Sequence, residues 1–229
     1  MGSSISSSPV QVPCKGILFD MDGILISSLG SVERSWTKWA QMRGVDPVKT
    51  LRIAHGCRSI ETVAALRPDL DAQAENDLIE RLEMEDTDGI TVLPGVQTFL
   101  KSLPFDRWTV VTSATAPLAR VRLKFVGVQL PEPIVTADIV THGKPHPEPY
   151  LAGAKVLGFA PEECVVFEDA ASGANAGRAA GCTVIATTFS HSVQDLKAAH
   201  YLIPDLTAVT AEVDAEKGAI VLKFTPLSR

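Results

Sequence analysis

Uninterrupted apolar runs recur along the chain and predict buried strands. The first covers residues 16–19, which show no polar alternation, a pattern typical of a strand covered on both faces of a parallel sheet. Comparable runs lie at 108–112, 164–167, 182–188 and 201–206. Segments of helical spacing separate these runs, among them one rich in small residues from 172 to 180. Strands that alternate with helices predict the α/β class, with a doubly wound parallel sheet.

Residues 29 to 88 differ in character, because they lack strong strand runs. Val32, Trp36 and Trp39 recur at helical intervals, and segments of helical period follow at 60–66 and 78–84. Apolar and aromatic positions of this period usually pack against each other rather than bind ligands. We therefore expect three helices here, around a small core that contains the tryptophans. A terminal hairpin is expected over 213–224.

Composition and charge exclude some classes of function. Of the 229 residues 45% are hydrophobic, which is ordinary for a packed globular protein. The net charge of -6 and the lack of lysine or arginine runs argue against a nucleic-acid partner bound by phosphate neutralisation. No apolar run reaches the length of a membrane span, and residues 1–9 do not resemble a signal peptide. We expect no membrane partner, a cytoplasmic location and a disordered leader over residues 1–13.

Other metal and nucleophile motifs are not supported by the spacing. His142 and His146 lie four residues apart, but intervening prolines prevent the helix that would present both to one metal ion. We expect these histidines to be solvated in a loop. The sequence contains no G-x-S-x-G nucleophile elbow. It also contains no C-x-x-C pair, so we expect buried free thiols rather than a zinc site or disulfides at Cys14, Cys57, Cys164 and Cys182.

Polar side chains follow three of the predicted strands. Asp20 and Asp22 follow the first strand, and Ser113 follows the second. Glu168 and Asp169 end the third. Each has a plain alternative, because aspartate after a strand is often a turn former or a helix cap. The carboxyl ends of parallel strands nevertheless share one edge, where open α/β sheets bind ligands, so we expect these groups to converge.

Converging carboxylates repel each other unless a cation lies among them. Hard oxygen ligands, together with waters and a substrate phosphate, describe a Mg2+ site. Lys144 lies in a rigid segment between Gly143 and Pro145. It either adds the positive charge that a phosphoryl group needs or is an ordinary surface lysine. The joint occurrence of these groups favours phosphate chemistry.

The ordered motifs resemble those of the haloacid dehalogenase-like hydrolases. The resemblance extends over nearly the whole chain and is carried by Phe19-Asp20-Met21-Asp22-Gly23, Val111-Thr112-Ser113, Gly143-Lys144-Pro145 and Phe167-Glu168-Asp169-Ala170. Segments at 55–58, 143–150 and 186–189 are similar to the sugar and polyol phosphatase branch. That branch contains 2-deoxyglucose-6-phosphatases and glycerol phosphatases and is related to beta-phosphoglucomutase. The resemblance implies a Rossmann-like core with an inserted α-helical cap domain.

The resemblance also implies a covalent mechanism. Asp20 would attack phosphorus and form an aspartyl-phosphate. Asp22 would protonate the leaving alkoxide and then deprotonate the hydrolytic water, so it is protonated when substrate binds. By the same resemblance, Mg2+ is held by Asp20, the backbone carbonyl of Asp22 and Asp169. Glu168 would assist directly or through water.

The phosphoryl oxygens have their own implied partners. The resemblance assigns them to Ser113, the backbone N–H of Ala114 and Lys144, through charge-assisted hydrogen bonds. Thr112 is the alternative to Ser113, because the sequence does not determine which hydroxyl points inward.

The family places its helical cap directly after the D-x-D motif. This implies a core of residues 14–26 and 92–229 and a cap of residues 27–91. Arg58 and His55 are the candidates for cap residues that face the substrate, and the alternative for Arg58 is a surface arginine at a helix N-terminus. Cap closure would exclude water and read the leaving group.

Three functions fit these expectations. The main one is a Mg2+-dependent phosphomonoesterase that acts, as a monomer, on a small sugar or polyol phosphate. The second is a phosphomutase, which returns the phosphoryl group to the sugar. The third is a non-catalytic sugar-phosphate sensor, against which the intact Asp20 and Asp22 argue.

Overall fold

The computed structural model describes residues 8–54, 57–214 and 218–228. Within them the strands are β1 (Val10–Cys14), β2 (Gly16–Phe19), β3 (Ile26–Ser27), β4 (Thr91–Val92), β5 (Trp108–Val110), β6 (Cys164–Glu168), β7 (Thr183–Thr187), β8 (Tyr201–Ile203), β9 (Val209–Asp214) and β10 (Ala219–Phe224). The helices are α1 (Leu29–Arg43), α2 (Pro47–Ala54), α3 (Ser59–Leu66), α4 (Ala72–Glu85), α5 (Val96–Lys101), α6 (Ala116–Phe125), α7 (Glu148–Leu157) and α8 (Ala171–Ala179). None of these helices is long and apolar enough to cross a membrane.

Five parallel strands form the main sheet, in the order β5-β2-β6-β7-β8. Strand β2 comes first in the chain yet lies between β5 and β6. The strand order therefore reverses at β2, and the boundary between β2 and β6 is the switch point at which open α/β sheets bind ligands. The predicted α/β fold with a doubly wound parallel sheet is confirmed.

Side chains of this sheet alternate between two hydrophobic layers. Ile17 and Phe19 of β2 belong to one layer, and Leu18 belongs to the other. The second layer also contains Tyr150 of α7 and Ala174 of α8. Because both faces are covered, the strands appear in the sequence as unbroken apolar runs rather than as alternating ones.

A second, antiparallel sheet consists of β1, β10 and β9. Strands β9 and β10 pair as a hairpin, as predicted, but β9 begins at Val209, before the predicted start at 213. Residues 215–217 between them lie outside the described residues. Strand β1 pairs with β10 over its whole length, and Val12 is buried. The prediction of a disordered leader is therefore wrong for residues 10–13. A short edge strand gains backbone hydrogen bonds without a long apolar run, so its sequence pattern is weak.

Four helices, α1 to α4, form an insertion between β3 and β4. These two short strands pair with each other, with Ile26 opposite Val92, so the chain leaves the core and returns at one place. Trp36 and Trp39 are buried in the core of the insertion, with ring centroids 5.5 Å apart, as predicted. The helix that the sequence did not predict, α2, has only two buried residues, too few for a clear periodic pattern.

Three of the four cysteines are buried thiols, as predicted. They are Cys14, Cys164 and Cys182. Burial raises the pKa of each of these thiols to about 12. Cys57 is only partly buried and lines the cavity between the insertion and the main sheet.

A buried carboxylate connects the helices of the insertion. Glu75 of α4 accepts a hydrogen bond of 2.8 Å from the indole N–H of Trp39 and one of 2.7 Å from Nε of Arg43, both on α1. The hydrogen bond from Arg43 is the main cause that holds the pKa of Glu75 below its ordinary value. The ion pair therefore stabilises the fold above the unfolded-state pKa of Glu75, and this contribution is lost as the pH falls.

We expect Glu75→Ala to lower the free energy of unfolding by about 1 to 3 kcal/mol, because the indole N–H of Trp39 would lose its partner inside the core. Urea unfolding at pH 7, followed by tryptophan fluorescence, measures the change. Glu85→Ala removes an exposed carboxylate from the same helix and should change stability by less than about 0.5 kcal/mol. Equal effects of the two substitutions would contradict this role for Glu75.

Candidate active site

Asp20 follows β2 at the switch point of the sheet. Its backbone N–H donates to the carbonyl of Phe167 in β6 at 3.0 Å. Glu168 ends β6 and Asp169 follows it, and all three carboxylates are buried. Each of Asp20, Glu168 and Asp169 offers an oxygen that lies within 4.8 Å of the others. The structure thus brings together three of the four carboxylates that the sequence places at strand ends.

Lys144 lies in contact with this carboxylate cluster. Its Nζ is 2.9 Å from Oδ1 of Asp20, and it donates to Oε1 of Glu168 at 2.7 Å and to the carbonyl of Val111 at 3.1 Å. These contacts match the three N–H bonds of an ammonium group. Burial alone would lower the pKa of Lys144, but the negative charges of Asp20 and Glu168 outweigh it and raise the pKa above its ordinary value. Lys144 is therefore a buried cation and not a surface lysine.

Glu168 anchors Lys144 and the turn that follows β6. Its Oε1 also accepts a hydrogen bond of 2.8 Å from the hydroxyl of Tyr150. Its Oε2 accepts the backbone N–H groups of Asp169 and Ala170, both at 2.9 Å. Both oxygens are thus committed to protein donors. This leaves Asp20 and Asp169 as the better candidates for direct contact with a cation.

The cluster carries more negative than positive charge. Burial is the main cause that raises the pKa of Asp20 to about 7, with Lys144 acting against it. Burial and the neighbouring charges of Glu168 and Asp20 raise the pKa of Asp169 well above its ordinary value. A divalent cation beside Asp20 and Asp169 would compensate this charge. Mg2+ fits the donor set, because it prefers carboxylate oxygens and keeps several waters.

Two glycines leave room for these carboxylates. A Cβ atom at Gly173 of α8 would lie 1.6 Å from Oε1 of Glu168. A Cβ atom at Gly23 would lie 1.8 Å from Oδ2 of Asp169, and the φ of 80° at Gly23 is in the left-handed region. A side chain at either position would displace a carboxylate. The glycine of the D-x-D-G motif is therefore needed for space as well as for the turn.

Asp22 lies apart from the carboxylate cluster. Its Oδ1 accepts a hydrogen bond from the hydroxyl of Ser28. Nη1 of Arg122 donates to Oδ1 of Asp22 at 3.1 Å and to Oδ2 at 3.2 Å. The side chain of Asp22 is 31% exposed and lines the cavity. The carboxylate thus faces the cavity and is not part of the group formed by the other three. A contact of the Asp22 backbone carbonyl with Mg2+ stays a prediction.

The loop after β5 contributes to the wall of the same cavity, through Thr112, Ser113 and Ala114. Thr112 is buried, and its Oγ1 accepts the backbone N–H of Ala114 at 3.1 Å. Because Oγ1 of Thr112 acts as an acceptor in this contact, its O–H can still donate to a ligand, and the choice between Thr112 and Ser113 stays open. The roles of Ser113 and Ala114 in phosphate binding stay predictions.

The cavity lies between the main sheet and the helical insertion and has a volume of about 330 Å³. Asp20, Asp22 and Asp169 line it from one side, and Asn76 and Glu83 of α4 line it from the other. The insertion therefore covers the carboxyl ends of β2 and β6. A ligand at Asp20 would contact both parts of the chain.

Arg58 of the insertion contacts the core. Its guanidinium donates to the carbonyls of Val140 at 3.1 Å and Thr141 at 2.9 Å and forms an ion pair with Glu61. Arg58 lies at the N-terminus of α3, as in the alternative interpretation, but its side chain is only 13% exposed. Arg58 also lines the cavity, and its contact with a substrate stays a prediction. The other candidate from this segment, His55, lies outside the described residues.

Two charged residues of the cavity wall were not singled out by the sequence. Glu83 of α4 and Arg122 of α6 are buried, and Nη2 of Arg122 is 3.6 Å from Oε2 of Glu83. A signal exists, because each lies four residues after a buried apolar residue of its helix, Ile79 and Leu118 respectively. A charged residue on the same face of a helix as the buried apolar residues indicates a buried ion pair or a contact with a ligand.

His142, His146 and Glu148 approach one another on the loop around Lys144. Both histidines are exposed, as predicted. Their ring centroids are nevertheless 4.6 Å apart, and Nδ1 of His142 is 2.9 Å from Oε2 of Glu148. The loop thus brings the two imidazole rings together, although the prolines prevent a helix between His142 and His146. Glu148 also accepts the backbone N–H groups of Thr141 and His142, so the contacts shape the loop.

The chain is similar to known proteins over most of its length. A family model described as haloacid dehalogenase-like hydrolase matches residues 14–181. Hexitol phosphatase A from Escherichia coli K12 is 42% identical, with 86% of this chain and 94% of that protein covered. Glycerol-1-phosphate phosphohydrolase 1 from Saccharomyces cerevisiae is 32% identical, with 96% and 94% covered. The crystal structure of beta-phosphoglucomutase from Clostridium difficile superposes with a TM-score of 0.72, over 84% of this chain and 92% of that protein. The two sequences are 20% identical, so this likeness shows a shared fold.

In Gly173→Ala the new Cβ would displace Glu168 and break its contact with Lys144. Because Lys144 also contacts Asp20, a candidate ligand of the cation, we expect the variant to bind Mg2+ more weakly. The rise in melting temperature on addition of Mg2+ measures binding to the folded state. The wild type should show this rise, and the variant should lose most of it.

Gly177→Ala is the matched control on α8, since its Cβ meets a side-chain carbon of Val184 at 2.9 Å and no carboxylate. It should keep the Mg2+-dependent rise even if its packing lowers the melting temperature without Mg2+. An unchanged rise in the Gly173→Ala protein would contradict the role of Gly173.

Proposed function

The chain belongs to the haloacid dehalogenase-like hydrolases, and we propose that it is a Mg2+-dependent phosphatase of small sugar or polyol phosphates that works through an aspartyl-phosphate. The close relatives are phosphatases, and the chain is a phosphoric monoester hydrolase. One observation supports the mechanism most. Asp20, in contact with Lys144 and near Asp169, lies in the wall of a cavity that is covered by the insertion.

Asp20 is the nucleophile of this proposal. A carboxylate oxygen attacks phosphorus and forms the Asp20–phosphorus bond while the bond to the leaving oxygen breaks. The contact between Lys144 and Oδ1 restricts the orientation of the carboxylate before the attack. Orientation of this kind removes part of the entropy cost of the reaction.

Asp22 is the general acid and base. It gives its proton to the leaving oxygen in the first step. In the second step it takes a proton from water, whose oxygen bonds to phosphorus as the Asp20–phosphorus bond breaks and inorganic phosphate is released. Its partly exposed position in the cavity wall, apart from the buried cluster, supports this assignment.

The phosphoryl oxygens are bound by Ser113 and the charge of Lys144, and by the backbone N–H of Ala114 when it exchanges Oγ1 of Thr112 for the ligand. Donors of this kind stabilise the charge that accumulates on the transferred group. When bound to Asp20, Asp169 and the backbone carbonyl of Asp22, Mg2+ would screen the phosphate dianion from the nucleophile. Glu168 holds Lys144 in position and contributes to the metal site only indirectly, because four protein donors occupy its oxygens.

The relatives and the cavity together support a small polyhydroxylated substrate. The names of the relatives specify hexitol and glycerol-1-phosphate chemistry. Gln73, Asn76 and Glu80 of the insertion line the same cavity as Asp20, and their polar side chains suit hydroxyl groups. A leaving group of three to six carbons would fit the cavity.

We expect the wild type to release phosphate from C3 to C6 sugar and polyol phosphates in the presence of Mg2+, and chelation should abolish the release. Asp20→Asn should reduce turnover by more than about 1,000-fold, because the nucleophile is lost, while the substrate still binds. A phosphate-release assay and calorimetric titration measure the two quantities. Asp106→Asn, at a side chain that is 84% exposed, is the control and should leave turnover unchanged.

Three results would count against this proposal. Release of no phosphate across the panel would contradict a phosphatase. Isomerised product without phosphate, dependent on a sugar bisphosphate, would identify a phosphomutase. Turnover unaffected by Asp20→Asn would show that Asp20 is not the nucleophile.

A second experiment tests Asp22 separately from Asp20. Asp22→Asn should reduce kcat/KM for a polyol phosphate by about 100- to 10,000-fold, the contribution of general acid catalysis. The loss should be far smaller for p-nitrophenyl phosphate, because its leaving group needs no proton. Equal losses with both substrates would mean that Asp22 does not act as the general acid. Asp88→Asn, at an exposed position, serves as control.

A further inference from the structure

Arg122 is a buried cation with unused hydrogen-bonding capacity. Its Nη1 contacts both oxygens of Asp22. Its Nε and Nη2 are buried, and neither has a hydrogen-bond partner among the described residues. Nη2 is 3.6 Å from Oε2 of Glu83, which is too long for a hydrogen bond. Buried donors are rarely left unsatisfied, so the N–H bonds of Nη2 require a partner in this space.

Glu83 faces Arg122 from the helical insertion. It is buried, with Glu80, Asp22 and Trp36 as neighbours. Burial raises its pKa to about 7. The charge of Arg122 and a hydrogen bond from Trp36 both act against the rise. The geometry thus places a carboxylate acceptor 3.6 Å from a buried donor that has no acceptor among the described residues.

Both residues line the cavity, which Asp22 also lines. A hydroxyl group beside Nη2 and Oε2, on the side of the cavity, could bridge the two, because it would accept a hydrogen bond from Arg122 and donate one to Glu83. A second anion would be less favourable there, because two carboxylates, Asp22 and Glu83, already surround the single guanidinium, and Glu80 lies nearby. The local chemistry therefore favours a neutral hydroxyl.

We propose that Arg122 and Glu83 form a specificity subsite for the hydroxyl on the carbon next to the phosphoester carbon of the substrate. The position follows from the contact of the same guanidinium with Asp22, which is assigned to protonate the ester oxygen. This inference rests on the proposed phosphatase function. It deepens that function by restricting the leaving group to a neutral polyol with adjacent hydroxyl and ester groups.

The test compares two substrates that differ in this hydroxyl, glycerol 3-phosphate and 3-hydroxypropyl phosphate. The wild type should favour glycerol 3-phosphate in kcat/KM by about 10- to 100-fold, the range expected for a hydrogen bond to a charged group. Arg122→Met should bring the ratio of the two values close to one. Glu83→Gln should reduce the same ratio and keeps the test valid if Arg122→Met does not fold.

Arg120→Met and Glu85→Gln are the matched controls, because both residues are exposed on the same two helices. Both should keep the wild-type ratio. The ratio separates recognition from structural damage, since a variant that only disturbs Asp22 or the fold loses activity on both substrates by the same factor.

Two results would overturn the subsite. One is an equal loss on both substrates in Arg122→Met and Glu83→Gln. The other is a wild-type preference for 3-phosphoglycerate over glycerol 3-phosphate that disappears in Arg122→Met, which would make Arg122 an anion receptor. Failure of the proposed function gives a different result, namely no phosphate release by the wild type from any substrate of the panel.

Discussion

The ammonium group of Lys144 is the interaction on which the site depends. It is buried among carboxylates and contacts Asp20 at 2.9 Å and Glu168 at 2.7 Å. A carboxylate cluster at the end of a parallel sheet is unfavourable without such a cation, because burial and mutual repulsion both oppose the ionised forms. Removal of one partner of a buried ion pair leaves the other charge uncompensated, which costs more than the pair contributes. The pairing of β2 with β6 places these carboxylates together, so the cluster needs a cation at this position.

The same constraint explains the local features around the site. Glu168 needs the hydroxyl of Tyr150 and two backbone N–H groups to hold Lys144, and Gly173 leaves the space for its carboxylate. Gly143, directly before Lys144, donates through its N–H to Glu61 of the insertion at 3.3 Å. The loop that positions the buried cation is thus also the loop that contacts the insertion, so the charge cluster and the cover of the cavity are structurally connected.

The elements that the sequence predicted best are those whose signal is local. The run of residues 16–19 needs no partner to be identified as a buried strand, and the carboxylates at its end follow from the geometry of parallel sheets. Strand β1 was missed because an edge strand is stabilised by backbone pairing with β10, which leaves little trace in its own side chains. Arg122 and Glu83 were missed for another reason. Each is a single charge within a helix, and only the tertiary structure shows that the two lie 3.6 Å apart in the wall of the cavity.

The position of Arg122 has a consequence for how binding energy is used. Arg122 belongs to α6 of the core and Glu83 to α4 of the insertion, so a hydroxyl bonded to both would contact the two parts of the chain at once. The same guanidinium holds the carboxylate of Asp22. A substrate without this hydroxyl would lose a contact to the insertion and also the alignment of its ester oxygen with Asp22. Energy from a group remote from phosphorus would then lower the barrier of the chemical step, so the loss would be found in kcat as well as in KM.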